Sequence, residues 1–416
     1  MSDLDVRTIT EDEAAEWYRA VHTGFLNEPV ADPEDVAKHL PAIDLSRTQG
    51  AWDGKRCVGT FRSFAQQLTV PGGAAVPATA VSNVTVTSTH RRRGLLTRMM
   101  ANDLRAAKDR GDAAATLIAA EYPIYGHHGF GPATWVTAWD IDIPRTGLDR
   151  RYRGPDDGGT VELITADEVR TLGPALHDRF RPLTPGAVDR DAQWWRESTG
   201  EVRFTHRGPW KEPHYALYRA ASGEPQGLAS YHTDSSDWRS KLPHCKAEVL
   251  KLIATTPSAE RALWHYLCSI DWVTTLSTGF RAPDDLLPLL LPDPRAARIN
   301  AHADFLWLRP LDTPRLLTSR TYATAGTLTL ELVDPHELAG GRFTLETDGT
   351  QSTCTPTTHS PDLTLPVSSL APLYLGDESP TRLAALNRLT EHRPGAVTTA
   401  ETLFHTPRRP WCPDVF

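Results

Sequence analysis

Residues 81–102 read VSNVTVTSTHRRRGLLTRMMAN, and the rest of the chain is best understood outward from them. Val81, Val84 and Val86 lie in a β-branched run that reads as a buried strand. Leu95, Leu96, Met99, Met100 and Leu104 recur at helical spacing, so a helix follows. Between the two stand His90, Arg91, Arg92, Arg93 and Gly94. A strand that turns through a basic, glycine-ended loop into a helix aims unpaired backbone N–H groups and the positive end of the helix dipole at one point. Such a point binds anions and suits a pyrophosphate. Adjacent arginines in an isolated loop are as often a solvated or nucleic-acid-facing patch, but these sit at a strand-to-helix junction. Gly94 has no Cβ to resist a left-handed backbone or the close approach of a ligand. A GxxxxGK[ST] loop and a GxGxxG motif are both absent, which argues against nucleotide hydrolysis and dinucleotide binding.

With 416 residues the chain is too long for one ordinary core, and two or three domains are expected. Its 40% hydrophobic and 23% charged content is that of a soluble globular protein. A net charge of -8 argues against bulk nucleic-acid or anionic-membrane binding, and favours a cationic small molecule where the acids line a cleft. The acidic opening MSDLDVRTITEDEAAEW does not read as a secretory signal. The most apolar run, Leu286 to Leu291, is broken by Pro288, so no membrane span is expected. Five scattered cysteines without a CxxC pair predict neither disulfides nor a metal site, and make a reducing cytoplasm the default location.

Upstream of the anchor stretch, residues 11–27 give a helix pattern with Ala15, Tyr18, Val21, His22 and Phe25 on one side. AWDGKRCVGTFRSFAQQLTVPGG then reads as a strand, a turn at Asp53 and Gly54, and a second strand ending at Pro71. Downstream, Ala113 to Ala119 is a small apolar strand, and EYPIYGHHGFG over 121–131 reads as a tight glycine loop rather than a regular element. TWVTAWDIDI alternates well enough for a strand that closes the sheet. A boundary between Pro144 and Gly154 gives domains of 1–150, 151–304 and 305–416. In the second, VLKLIATTPSAERAL (Val249 to Leu263) lays without gaps over VSNVTVTSTHRRRGL. Ala259 and Glu260 replace Arg91 and Arg92, and Ala262 replaces Gly94, so this copy keeps the strand-loop-helix form without the charge or the glycine. FLWLRPLD opens the third region, whose alternating runs predict strands, with helices over Ser369 to Leu375 and Ser379 to Leu389.

The stretch from Arg91 to Leu95 resembles the coenzyme A motif of the GNAT superfamily, R/Q-x-x-G-x-G/A, up to its last position, where Leu96 replaces the small residue. The helix, hairpin, strand, basic loop and helix also follow the order in which a GNAT domain begins. HRRRGLL, RPLTPGAVDRDAQWW and SSLAPLYLG resemble one branch in particular, the Eis (enhanced intracellular survival) acetyltransferases. The resemblance implies an α/β (α+β) chain: two GNAT-type mixed-sheet domains, the second degenerate and without coenzyme, then a sterol carrier protein-like α+β domain. It implies acetyl-CoA as cosubstrate and no metal, with backbone groups of Val84, Thr85 and Val86 on the pantetheine arm and acetyl group. The amides of Arg92, Arg93, Gly94, Leu95, Leu96 and Thr97 would hold the pyrophosphate, with Ala120 and Glu121 beside them. Trp194 and Trp195 would reach the substrate cleft, Glu28 and Asp414 are candidates to add negative charge there, and the family's assembly implies a homohexamer. A lipid-binding role does not follow from the third domain's likeness, because fold does not carry function.

Acyl transfer from a thioester to an amine needs an uncharged nucleophile, a donor for the oxyanion and a proton for the leaving thiolate. A tyrosine (pKa about 10) can protonate a thiolate whose thiol has a pKa of about 8.5. Tyr125 is the candidate, with Tyr122 its neighbour and competitor, and the resemblance sets the general acid at Tyr125 within IYGxxGxG. For the base, titration range points to His127, His128 or Glu121. The resemblance points instead to the α-carboxylate of Phe416. The ending RPWCPDVF suits an anchored tail, stiffened by Pro410 and Pro413, with Trp411 and Phe416 as apolar anchors. An α-carboxyl near pKa 3.5 is a weak base for an ammonium, so a water relay is the preferred route, with the carboxylate also pairing with a cationic substrate. The expected activity is acetyl-CoA-dependent N-acetylation of primary amines, aminoglycoside-like polyamines or lysine side chains. The alternative is a non-enzymatic lipid carrier or coenzyme-sensing scaffold.

Overall fold

The computed structural model describes residues 4–146, 155 and 157–416, and most of the expected boundary between Pro144 and Gly154 lies outside them. The alternating runs of the first third pair into a seven-stranded sheet. Its order is β1 (Asp5–Thr8), β2 (Thr48–Asp53), β3 (Arg56–Thr69), β4 (Ala75–Val86), β5 (Ala114–Ile118), the strand Leu306–Pro310 and β6 (Gly131–Pro132). On one face α1 (Ala14–Gly24) buries Trp17, Tyr18 and Val21 against Trp52 and Cys57, and α2 (Pro33–His39) follows it. On the other face the helical spacing of Leu95, Met99, Met100 and Leu104 sets one stripe of α3 (Leu95–Arg110) onto Val58, Phe61 and Val81. Gly111, at φ +86°, ends that helix in the left-handed conformation that glycine permits.

Two expectations about strands are corrected. TWVTAWDIDI does not close the first sheet: β7 (Trp135–Asp142) pairs with Val273–Ser277 and Ala297–Asp304 in a second seven-stranded sheet. FLWLRPLD does not open the third region: Leu306–Pro310 inserts between β5 and β6 of the first sheet. Burial accounts for the exchange. Leu306–Pro310 is buried at every position, as an interior strand covered on both faces must be, whereas β7 alternates buried with half-buried residues.

The second sheet repeats the plan of the first. Cys245–Ala254 lies antiparallel to Pro225–Asp234 and parallel to Val273–Ser277, as β4 lies to β3 and β5, and then leads into the helix Pro257–Cys268. Here the helix start is closed. The Thr256 hydroxyl accepts from the Ala259 amide at 3.2 Å, and Pro257 has no N–H to leave open.

Residues from Gly326 onward form a five-stranded sheet covered by the helix Val367–Leu375. That helix packs on Leu306–Pro310 and β6 so closely that a Cβ on Gly131 would strike the Ser368 carbonyl. Arg309 and Asp334, each 0% exposed at the side chain, join the first sheet to this domain through two 2.8 Å hydrogen bonds. Among the described residues no helix is long and apolar enough to cross a membrane.

Candidate active site

β4 and β5 are parallel neighbours only from Ala78 to Val81 and from Ala114 to Leu117. Beyond that, Ser82 to Val86 have no ladder partner on the β5 side among the described residues, and the two strands part. On its other side β4 carries a bulge: Thr60 stands opposite Thr85 and Arg62 opposite Ser82, so Asn83 and Val84 share one partner, Phe61. Asn83 takes φ +52°, which its side-chain type tolerates, and the Thr60 hydroxyl donates to its carbonyl at 2.7 Å. The bulge turns β4 outward where the gap opens. Val84 and Val86 lie at the edge of the cluster that holds α3, while Ser82 and Asn83 line a cavity on the opposite side of the sheet. Thr85 points away from the gap, its side chain against Gly24 and hydrogen-bonded to Thr60 at 2.7 Å.

At the mouth of the gap, Arg91, Arg92, Arg93, Gly94 and Thr97 are exposed, Leu95 is buried and Leu96 is half-buried. Gly94 is the N-cap of α3 at φ +73° and offers no side chain to the first-turn amides, which therefore keep their donors open. Arg92 takes φ +62°, a conformation a branchless residue enters more easily, so the loop holds strain at this point. The guanidiniums are loosely held: Arg91 reaches the Val86 carbonyl and Arg93 the Thr89 carbonyl, both at 3.5 Å. Arg91 also stands 4.0 Å from the exposed Glu121, which with Ala120 forms the facing lip after β5. Three cations and a set of uncapped amides thus face one mouth, the arrangement a pyrophosphate fits.

The glycine loop is more regular than expected. Tyr122–Tyr125 is a helical turn, α4, and Gly126–His128 a tighter one. Of its glycines, Gly129 and Gly131 answer to the rest of the fold rather than to a ligand: a Cβ would meet the Arg309 side chain at the first and the Ser368 carbonyl at the second. Arg309 Nε also donates to the His128 carbonyl at 2.8 Å, which fixes the loop from beneath. Tyr125 is 8% exposed and packs in the cluster that includes Leu95, Leu117, Phe130 and Trp307, with Val84 and Val86 against it. Burial, and then the charge of Glu121, raise its phenol above the usual tyrosine value. Tyr122 is more open and lies edge-on to Trp307 at 4.9 Å. His128 is turned toward His336 of the third domain, and burial pulls it down to about 4. His127 is exposed, its carbonyl held by His336 at 2.8 Å. Neither histidine lines the cavity beside Ser82 and Asn83.

That cavity, about 510 Å³, is where the chain's last residues arrive. Trp411 and Cys412 are buried, and the Trp411 amide donates to the Pro185 carbonyl at 2.8 Å. Asp414 is 2% exposed and receives both Arg190 nitrogens at 3.0 Å, with Lys251 3.3 Å away. Burial works to raise its carboxyl, but the Arg190 and Lys251 charges hold it below the usual carboxylate range. Asp414 therefore anchors the tail, and its charge is already neutralised. Phe416 is half-buried in the cavity, edge-on to Phe64 with ring centroids 5.9 Å apart. Trp194 stands in the wall beneath the Arg190 guanidinium, 3.9 Å from ring centroid to cation. Trp195, 5% exposed, lines a neighbouring chamber of the second domain instead. Glu28 is exposed on the loop after α1 and outside the cavity lining. The sheet gap thus brings Val84, Val86, Leu95, Leu96, Glu121 and Tyr125 together, and the cavity gathers Phe416, Trp194 and Asp414. Sequence reading missed Arg62, Phe64 and Asn83; only Asn83 carried a signal, as an asparagine interrupting a β-branched run.

Models of known families cover most of the chain. The acetyltransferase (GNAT) domain matches residues 5–133, a second acetyltransferase (GNAT) domain matches 186–309, and the sterol carrier protein domain matches 313–413. A protein of Streptomyces avermitilis named as an uncharacterised N-acetyltransferase is 59% identical over 100% of this chain and 99% of its own length. The N-acetyltransferase Eis of Mycobacterium tuberculosis is 35% identical over 82% of this chain and 81% of its own. Among solved structures, Eis1 from Mycobacterium abscessus is 29% identical and superposes with a TM-score of 0.85 over 99% of this chain and 100% of its own. A GCN5-related N-acetyltransferase from Anabaena variabilis, at 18% identity and a TM-score of 0.83 over 100% of both chains, shares the fold. The two GNAT domains and the third domain expected from the sequence are thereby met. At this identity, carried through both sheets and into the last domain, the chain belongs to the Eis family of GNAT acetyltransferases and is an N-acetyltransferase.

Proposed function

We propose that the protein acetylates primary amines from acetyl-CoA, with Tyr125 as general acid and the α-carboxylate of Phe416 as the proton acceptor, through a water. The opening of β4 from β5, with uncapped amides and three arginines at its mouth and Tyr125 in the cluster against which Val84 and Val86 pack, is the observation that carries this reading. In it, Arg92, Arg93 and the amides through Thr97 hold the pyrophosphate between the loop and the lip at Ala120 and Glu121. The backbone of Val84, Thr85 and Val86, which lacks a ladder partner on that side, is free to bond the pantetheine arm and the acetyl oxygen.

Acetyl-CoA supplies an acetyl group already activated as a thioester. The amine enters from the cavity that holds Phe416, and its nitrogen forms the N–C bond as the C–S bond breaks. A cationic acceptor first gives one proton by water to the Phe416 carboxylate, which frees the nitrogen's lone pair. The second proton, shed as the N–C bond forms, leaves through water to solvent, and the phenol of Tyr125 protonates the departing sulfur and regains its proton from water. The same carboxylate pairs with a cationic acceptor before reaction. Aminoglycoside-like polyamines and lysine side chains are the first acceptors to try.

The test is a free-thiol release assay over a panel of aminoglycosides, polyamines, peptides and simple amines, with acetyl groups counted by mass. Amine-dependent release is expected, together with its loss in a folded variant that carries extra residues after Phe416. Normal turnover in that variant would remove the terminal carboxylate from the mechanism. No release with any amine would remove the proposal.

A further inference from the structure

Arg62 and Phe64 are two residues apart on β3 and so share a face, the one that looks into the cavity of Phe416. The Arg62 guanidinium lies 5.3 Å from the centroid of the Phe64 ring, whose other face of contact is the edge-on Phe416. A cation and the chain's terminal residue therefore flank a single ring.

The carboxylates of this wall have partners, two of them guanidiniums and two of them backbone amides. Asp414 is held by Arg190, Glu197 by Arg207 at 3.1 Å, Asp191 accepts the Trp194 amide at 2.6 Å, and Asp189 accepts the Gln67 amide at 2.8 Å. Arg62 differs. Its one hydrogen bond runs from a terminal nitrogen to the Ala42 carbonyl at 3.3 Å, its Nε is buried without an acceptor, and among the described residues it forms no ion pair. A guanidinium is a planar fork of donors that cannot lose its charge, and a half-buried one with terminal donors unmet recruits an oxyanion, preferably at two oxygens. Burial weighs against its charged form, and Tyr18, Glu197 and Asp191 only partly offset that.

We infer that the acceptor is zwitterionic: a primary amine that also carries a carboxylate or phosphate, with Arg62 reading the oxyanion while the amine nitrogen faces the Phe416 carboxylate. This rests on the acetyl-transfer reading above and narrows its substrate class. The short distance across Phe64 favours compact amino acids or amino phosphates.

The test compares ω-amino carboxylates and aminoalkyl phosphates with n-alkylamines of the same lengths, by thiol release from acetyl-CoA. At the best length the anionic member is expected to exceed the neutral amine in kcat/KM by about tenfold or more. The better of the two anions identifies the headgroup. R62M is expected to bring that ratio close to one, through a higher KM for the anionic amines, and R62K to keep part of it. Turnover with neutral amines equal or preferred in the wild type, or a ratio unmoved in both variants, overturns the inference alone. Absence of thiol release with every amine overturns the acetyl-transfer reading, and the inference with it.

Discussion

Tyr125 keeps its proton through the neutral range, because burial and the nearby Glu121 both disfavour the phenolate. It is suited to give a proton to a departing sulfur and unsuited to take one from an ammonium. Tyr125→Phe removes the hydroxyl and leaves the packing against Phe130 and Trp307 intact. In steady-state thiol release it is expected to lower kcat by about 10²- to 10⁴-fold with little change in the KM for acetyl-CoA. An unchanged kcat would exclude the phenol as acid. Buried histidines make stability depend on pH. Burial pulls His39 and His128 down to about 4 and His177 to about 3, so all three are neutral in the folded protein at pH 6. The unfolded chain binds their protons from about pH 6.5 downward. Their contribution to stability is therefore full above about pH 6.5 and is lost as the pH falls toward 4. Asp377, pushed up to about 6 by burial, acts in the opposite sense, so the comparison must be with a variant. Thermal melts of His128→Gln across pH 4 to 7 are expected to show a shallower fall in Tm than the wild type; an identical slope would exclude His128 as a source.

At the scale of elements, two strand-loop-helix units of one design differ in how their helices begin. Gly94 leaves the first turn of α3 open, whereas Thr256 and Pro257 close the start of the helix in the second domain. An anion site needs the first and is shut by the second. The pair Arg92→Ala with Gly94→Asp removes a cation and sets a carboxylate at the open amides. It is expected to raise the KM for acetyl-CoA by tenfold or more in the same assay, and an unaltered KM would move the pyrophosphate elsewhere. Both units were legible in the sequence, because a β-branched run, a polar break and a helical apolar stripe are local signals. The helical turns of 122–128 were not. Three glycines argue for a loop, yet Gly129 and Gly131 are glycine because Arg309 and Ser368, distant in sequence, press against them.

For the molecule as a whole, the sheets trade strands, and no local pattern predicts that trade. β7 has the pattern of a half-covered strand that either sheet could hold, and Leu306–Pro310 reads equally well as the start of a domain. What separates them is burial on both faces, a property of the neighbours and not of the five residues. Arg62 was illegible for the same reason, since only the folded cavity reveals that its neighbours leave it unpaired. The exchange ties the third domain to the first sheet, with Arg309 and Asp334 as the joint. Asp334 accepts the Leu338 amide at 3.0 Å and the Ala339 amide at 2.8 Å as well as the guanidinium, so its removal strands several buried donors. Asp334→Ala is expected to cost about 3–5 kcal/mol in urea unfolding. A loss below about 1 kcal/mol would show that the joint relaxes and is not what holds the glycine loop.

In the proposed mechanism the opening between β4 and β5 grips the coenzyme with its thioester between Tyr125 and the cavity of Phe416. Its most direct test is a crystal structure of the protein with acetyl-CoA. The pyrophosphate is predicted on the amides that open α3, the acetyl carbonyl on the backbone of Val84 to Val86, and the sulfur within hydrogen-bonding reach of the Tyr125 hydroxyl. Coenzyme bound at the helix Pro257–Cys268 instead, or a sulfur out of reach of Tyr125, would contradict it.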